Sequence, residues 1–293
     1  MRIALAALGL AAATTAQDFP LPLHRIEGKD PRAVVVADFD LDGHPDFASA
    51  QFVTDEIAIV LAEPGGDYEP PILLEVGNGY TDIGVGDFDL DGRPDLVATN
   101  QLDPWLRIFD NDGRWTWCGA QGAVVANALA VGDMDGDGRP DVVVADSFTN
   151  QAQVVITAPS GCPAAPVGYA TGTKPVDVAV ADFDGDGALD VVTCNETAAT
   201  LSLLRGDGSG GLLPATSVAV GSTPTALAAA DLDQDGDVDV DKGTLQLGAD
   251  GVDPHTGTFD VADGAALRWS AGTHVLTPAG RLARKGATGT ATA

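Results

Sequence analysis

Twenty aspartates in this chain stand in one pattern. The string D-x-D-x-D-G-x-x-D occurs five times, as DFDLDGHPD from Asp38, DFDLDGRPD from Asp87, DMDGDGRPD from Asp133, DFDGDGALD from Asp182 and DLDQDGDVD from Asp231, with successive starts 49, 46, 49 and 49 residues apart. Each copy supplies four carboxylates and a glycine at fixed positions. A hard divalent cation such as calcium takes six to eight oxygen ligands at about 2.3–2.6 Å, so a short loop that binds one must turn its odd-numbered groups inward. Carboxylates at positions one, three, five and nine meet that need. Position seven is free in type, as expected where only a backbone carbonyl reaches the ion. The candidate ligands are therefore Asp38, Asp40, Asp42 and Asp46 with the carbonyl of His44; Asp87, Asp89, Asp91 and Asp95 with that of Arg93; and Asp133, Asp135, Asp137 and Asp141 with that of Arg139. The last two loops offer Asp182, Asp184, Asp186 and Asp190 with the carbonyl of Ala188, and Asp231, Asp233, Asp235 and Asp239 with that of Asp237. Up to five calcium ions are expected. Carboxylates about 4 Å apart repel by roughly 4 kcal/mol per pair at an effective dielectric near 20, so cation-free loops should splay.

Position six is always glycine (Gly43, Gly92, Gly138, Gly187, Gly236), which fits a sharp turn with positive φ. An EF-hand loop starts in a similar way but needs an acidic residue at position twelve and flanking helices. Position twelve here is Ser49, Ala98, Val144, Thr193 or Lys242, and the flanks are short β-rich runs such as VDVAVAD and LDVVTCN. The EF-hand reading fails on both counts.

The elements that must hold these loops follow from the repeat. The copy around Asp182 divides into VDVAVAD, the loop, LDVVTCN, ATLSLLR, a Gly-rich turn and ATSVAVG. Four short strands in about 49 residues is the size of a propeller blade, with the acidic loop joining its first two strands. Asn111-Asp112-Gly113 and Gly206-Asp207-Gly208 mark hairpins later in the blade. The segment LPLHRIEGKDP before the first repeat has the form of a fourth strand, which could pair with the last blade and leave no open edge.

The five loops, with the P-x-x-x-x-V-A-D-like strand before them and the L-D-V-V strand after, resemble the FG-GAP/VCBS repeats of integrin-α-type β-propellers over about residues 17–240. The resemblance implies an all-β propeller of about five four-stranded blades whose loop aspartates ligate calcium. It further implies an adhesion or binding module, or an enzyme accessory. The fifth copy departs after its loop, and residues 241–293 form a Gly/Thr-rich β segment that is either a degenerate last blade or the start of a β-solenoid.

Acidic residues outnumber basic ones by 43 to 15, for a net charge of −28. Such a chain lacks the basic face that nucleic acid requires. Residues 1–16 read as a secretory signal: Arg2, an apolar stretch from Ile3 to Ala13, then small residues. No segment is long enough to span a bilayer. The expected setting is secreted or cell-surface, where calcium is plentiful, and the expected partner an extracellular protein or glycan.

Three cysteines make no disulfide framework. Cys118 and Cys162 could meet across a blade boundary, but unpaired small core residues are the reading favoured for Cys118, Cys162 and Cys194. Trp115 and Trp117 share a face by two-residue alternation; they read as a sugar-stacking platform or, preferred, as packing between blades or a shield for the outer strand. Arg205-Gly206-Asp207 spells an adhesive tripeptide, and residues 206–211 satisfy G-x-G-x-x-G without the helix a dinucleotide site needs. Catalysis has little support. The four histidines form no ligand pair, and neither G-x-S-x-G nor H-E-x-x-H occurs. The sequence therefore reads as a non-enzymatic, calcium-binding module for adhesion or extracellular recognition. Alternatives are the accessory propeller of a carbohydrate-active enzyme and a structural spacer of a larger surface protein.

Overall fold

The computed structural model describes residues 30–54, 56–75, 79–102, 105–121 and 126–229, with the backbone of two further strands at 258–262 and 266–270. The signal segment, the leading LPLHRIEGK stretch and the fifth loop from Asp231 to Asp239 lie outside the described residues.

Four antiparallel sheets of four strands each follow one another along the chain. The first comprises β1 (Pro31–Ala37), β2 (Asp46–Gln51), β3 (Glu56–Val60) and β4 (Ile72–Glu75). The second comprises β5 (Tyr80–Gly86), β6 (Asp95–Asn100), β7 (Trp105–Asp110) and β8 (Thr116–Gln121). Next come β9 (Ala126–Gly132), β10 (Asp141–Asp146), β11 (Gln151–Val155) and β12 (Val167–Ala170), then β13 (Pro175–Ala181), β14 (Asp190–Asn195), β15 (Thr200–Leu204) and β16 (Thr216–Ala219). Spatial order within each sheet equals sequence order, which is the meander of a propeller blade. A final hairpin pairs β17 (Thr258–Ala262) with β18 (Ala266–Ser270). The strands read from the copy around Asp182 coincide with β13 to β16 to within two residues at each end.

Why these segments form blades is visible in their burial. Strand two of each blade is covered on both faces, so DLVATN, DVVVAD and DVVTCN are buried at every residue and the apolar run need not alternate. The fourth strands β12 and β16 are mostly exposed. First strands of successive blades adjoin, β1 with β5, β5 with β9 and β9 with β13.

Three of the four apolar clusters lie between blades, and the fourth is built on blade four alone. Phe39, Ile57 and Ile59 of blade one pack in one cluster with Tyr80, Ile83, Leu96 and Phe109 of blade two. Blade two joins blade three through Phe88, Val97 and Leu106 against Val142, Val144 and Val155. Met134, Val143 and Val154 of blade three meet Val178, Val191 and Leu204 of blade four. Polar ties cross the same boundaries: Thr81 Oγ1 donates to the Ala126 carbonyl at 2.7 Å, and Leu129 N–H donates to Asp82 Oδ2 at 2.8 Å. Asp177 Oδ2 accepts the N–H of Leu227 at 2.6 Å, repeating two blades later what Asp82 does.

Candidate metal loops at the blade boundaries

Each described D-x-D-x-D-G-x-x-D copy links the first and second strands of its blade, as the repeat predicts. The glycine at position six has φ of 89° in Gly43, 90° in Gly92, 89° in Gly138 and 90° in Gly187. An added Cβ would meet nothing within 4 Å at any of the four, so backbone conformation alone requires glycine there. Position four also lies in the left-handed region. It is occupied by Leu41 (φ 62°) and Leu90 (φ 63°) in the first two loops and by Gly136 (φ 75°) and Gly185 (φ 74°) in the next two.

The position-one aspartate shapes the turn. In the four loops its Oδ2 accepts the N–H of Gly43, Gly92, Gly138 or Gly187 at 2.8, 2.9, 2.8 and 2.8 Å, while Oδ1 accepts that of position five. Position five accepts the N–H of position seven at 2.8 Å in every described loop, from His44, Arg93, Arg139 and Ala188.

The position-nine aspartate does more than sequence reasoning assigns to it. Asp46, Asp95, Asp141 and Asp190 begin the second strands and are essentially inaccessible. Each spends Oδ2 on the N–H of loop position two: Phe39 at 2.8 Å, Phe88 at 2.9 Å, Met134 at 2.9 Å and Phe183 at 3.1 Å. Oδ1 accepts an N–H just beyond the third strand, from Ala62, Asn111, Thr157 or Gly206, at 2.7, 2.8, 2.7 and 2.8 Å. The carboxylate therefore clasps loop and third strand together. Burial pushes Asp95 and Asp141 up to about 6, against the lowering effect of these same backbone donors, and raises Asp190 as well. The signal that could have revealed the clasp was present, because position nine opens a strand in which the next four residues are apolar or small.

Ligand atoms of Asp87, Asp89 and Asp95 lie within 4.8 Å of one another, as do those of Asp133, Asp135 and Asp141 and those of Asp182, Asp184 and Asp190. In the first loop the group is Asp38, Asp40 and Asp42. Asp91, Asp137 and Asp186 stand outside the three-residue groups of their loops. Three hard oxygen donors converging without a thiol or imidazole form a donor set suited to calcium or magnesium rather than to a softer ion. The residues fit such an ion. It would supply the positive charge that lets the carboxylates share one small volume.

The first three loops are not isolated on the surface, because the hairpin turn of the following blade covers each. Asn111 of blade two donates through Nδ2 to the Phe39 carbonyl at 2.8 Å, and the Trp115 ring stands edge-on to Phe39 with centroids 5.9 Å apart. A Cβ on Gly161 of blade three would lie 2.9 Å from Cβ of Asp89 in the blade-two loop. Gly210 of blade four donates its N–H to the Met134 carbonyl at 3.1 Å. Every described loop from the first to the third thus sits at a blade boundary.

At the second of these boundaries Cys118 and Cys162 form a disulfide, with Cα atoms 5.6 Å apart. This corrects the favoured reading of unpaired cysteines: the turn of blade three reaches far enough over blade two to bring β8 beside it. Cys194 does stay free and buried, its thiol pushed up to about 12 by burial and by the charges of Asp177 and Glu196. A cleft of about 250 Å³ opens beside the disulfide, lined by Asp89, Asp110, Thr116, Trp117 and Ser160 among others. Trp115 and Trp117 do not share a face. Trp115 takes φ of 54° in the turn before β8 and packs on the blade-one core, whereas Trp117 is 48% exposed and stacks on the Arg107 guanidinium at 4.9 Å. The adhesive tripeptide is internally engaged: Arg205 pairs with Asp184 at 3.3 Å, and Asp207 accepts from Ser209 and Gly211.

Repeated blades with an acidic loop between their first two strands define a β-propeller repeat protein. The family model for the FG-GAP-like repeat matches residues 38–98, 87–144, 133–193 and 182–240, so the chain belongs to the FG-GAP-like repeat family. No curated protein matches it as a relative. Among solved structures it is similar to a functionally unknown protein from Desulfotomaculum acetoxidans, at 12% identity and a TM-score of 0.53 over 69% of this chain and 60% of that one. It is also similar to BBS1N, solved in complex with ARL6DN, at 15% identity and a TM-score of 0.51 over 69% of this chain and 61% of that one. An Agrocybe aegerita lectin that recognises non-reducing terminal N-acetylglucosamine matches at 18% identity and a TM-score of 0.44, over 62% of this chain and 51% of the lectin. These alignments span 51–61% of the length of the proteins matched, and the two with TM-scores above 0.5 show the fold alone. Among the described residues no helix is long and apolar enough to cross a membrane.

Proposed function

We propose that this chain is an exported, non-catalytic recognition module in which calcium staples neighbouring propeller blades. The observation that carries the reading is the placement of four acidic groups, each with ligand atoms within 4.8 Å, in loops of which three lie under the turn of the next blade. Binding at such a place orders a blade boundary, so binding free energy becomes folding free energy. An extracellular setting supplies the millimolar calcium that loops of this kind use, and the disulfide between Cys118 and Cys162 favours an oxidising compartment. With a net charge of −28, the partner is a protein or glycan rather than nucleic acid. The cleft beside Trp117 offers one place where such a partner could be met.

Calorimetric titration of chelator-stripped protein with calcium, and with magnesium in parallel, tests the reading. Four or five calcium sites with a rise in melting temperature and a weak magnesium response are expected. Absence of any calcium heat or thermal shift would remove the metal from the function, leaving solvated acidic turns.

A further inference from the structure

The residue one before the third-strand clasp donor occupies the same place in every blade, and it differs in charge. It is Leu61 in blade one, Asp110 in blade two, Ile156 in blade three and Arg205 in blade four. In three blades this side chain lies over the position-three aspartate of its own loop. Arg205 Nε is 3.3 Å from Asp184 Oδ2. Asp110 lines one cleft with Asp89 and Asp95. Ile156 and Asp135 are both within 3.4 Å of where a Cβ on Gly210 would stand.

We infer that this position grades the cation affinity of the loops, with loop two reinforced by Asp110 as the tightest site and loop four, where Arg205 already sits on Asp184, as the weakest. The inference rests on calcium being the ligand of these loops, as proposed above. Loops one and three fall between, because Leu61 and Ile156 contribute no charge. Arg139 pairs with Asp137 at 3.6 Å, but Asp137 is outside the group formed by Asp133, Asp135 and Asp141, so it competes less directly than Arg205 does. A unit charge about 6 Å from a divalent ion changes affinity by about tenfold even at the dielectric of bulk water. Arg205 therefore acts as an internal cation that holds the fourth loop together when calcium is scarce, and calcium must displace it.

The test is a calcium titration of the full chain, stripped by chelator, as wild type, Arg205→Gln and Asp110→Asn. Binding is followed by calorimetry, and the part of the tryptophan-sensitised terbium luminescence that is lost in Trp117→Phe reports loop two, Trp115 standing beside loop one. The expected result is that Arg205→Gln tightens the weakest class of sites about tenfold, while Asp110→Asn weakens the tightest class about tenfold and shifts the Trp117-sensitised terbium signal to higher concentration. The two changes have opposite signs, and an unfolded variant cannot gain affinity, so a general loss of structure does not imitate the pattern. Wild-type protein that binds calcium while both variants titrate like it would overturn the grading and leave the calcium reading standing. Wild-type protein that binds no calcium would end both.

Discussion

Replacing Asp141 by alanine removes the acceptor for two buried donors, Met134 N–H at 2.9 Å and Thr157 N–H at 2.7 Å. Neither donor has water to turn to, because Asp141 itself is fully buried. An orphaned buried donor costs about 1–3 kcal/mol, so the pair costs about 2–6 kcal/mol. Burial already disfavours the charge of Asp141. Its removal returns part of that cost, and a net loss of about 2–4 kcal/mol is expected. The control is Asp137→Ala in the same loop. Asp137 accepts only the exposed Arg139 N–H and an ion pair at 3.6 Å, which places its cost within about 1 kcal/mol. Urea unfolding in the presence of chelator separates the two roles without any metal. With a slope of about 1–3 kcal/mol/M, the Asp141→Ala midpoint should fall by roughly 1–2 M while that of Asp137→Ala barely moves. Equal midpoints for the two variants, or a larger loss at Asp137, would refute the assignment of position nine as a clasp that works without a cation.

Three further outcomes follow from the same coordinates. Opening the Cys118–Cys162 bridge, whose sequence separation is 44 residues, should lower stability by about 4 kcal/mol, read as a reductant-dependent drop in the urea midpoint; Cys194 should resist alkylation until the chain unfolds. Asp82 is pushed up to about 6 by burial, so between about pH 4 and 6 the native state keeps a proton that the unfolded state has released. Its stabilising effect is complete below the unfolded value and is lost as pH rises through 6, by at most about 3 kcal/mol. Asp82→Asn should flatten its share of the melting temperature against pH measured in chelator, while an unchanged profile would remove Asp82 from the account. Leu90→Gly should stabilise by roughly 0.5–1 kcal/mol, because Leu90 holds φ of 63° with its side chain 47% exposed, whereas Gly136 and Gly185 fill the same place without strain. A lower melting temperature for Leu90→Gly would mean that the exposed leucine packs on something that outweighs its backbone strain.

How far the chain could be read in advance depended on whether a feature was local and repeated. The D-x-D-x-D-G-x-x-D register set the blade length and the loop position, and Gly43 with its counterparts fixed the turn, because all three are properties of nine adjacent residues copied five times. The second strands were legible for a similar reason, each being a short run of apolar and small residues that follows the loop's last aspartate. What escaped sequence reasoning was set between repeats. The bridge joins Cys118 to a residue in the next blade, and nothing in the spacing of single cysteines gives the reach of the turn between β11 and β12. Trp115 was misplaced by alternation because its positive φ takes it out of the strand before β8 begins. The clasp made by position nine was hidden for another reason, since a carboxylate carries the same letter whether it faces a cation, two amide donors or both.

That double use of position nine links metal, blade and neighbour. Asp95 ties Phe88 to Asn111, while Asn111 Nδ2 in turn donates to Phe39 of the preceding blade and to the Pro94 carbonyl beside its own loop. Loop two is thereby connected through one buried asparagine to loop one. Blades three and four lack that asparagine: Thr157 donates its hydroxyl to the Pro140 carbonyl within its own blade, and Gly206 has no side chain to offer. At the second and third boundaries the turn of the following blade meets the loop through backbone and apolar contacts instead, such as Gly161 against Asp89 and Gly210 on Met134. A cation at loop one would therefore be felt at loop two through a side-chain hydrogen-bond chain, whereas one at loop three would be felt by blade four through the Gly210–Met134 backbone hydrogen bond and packing. Cooperativity of calcium binding should accordingly be concentrated in the first two loops. Asn111→Ala is the substitution that should uncouple them, seen as two independent heats where the wild type gives one cooperative transition. A wild-type titration in which the first two loops already bind independently would show that the Asn111 bridge carries no coupling energy.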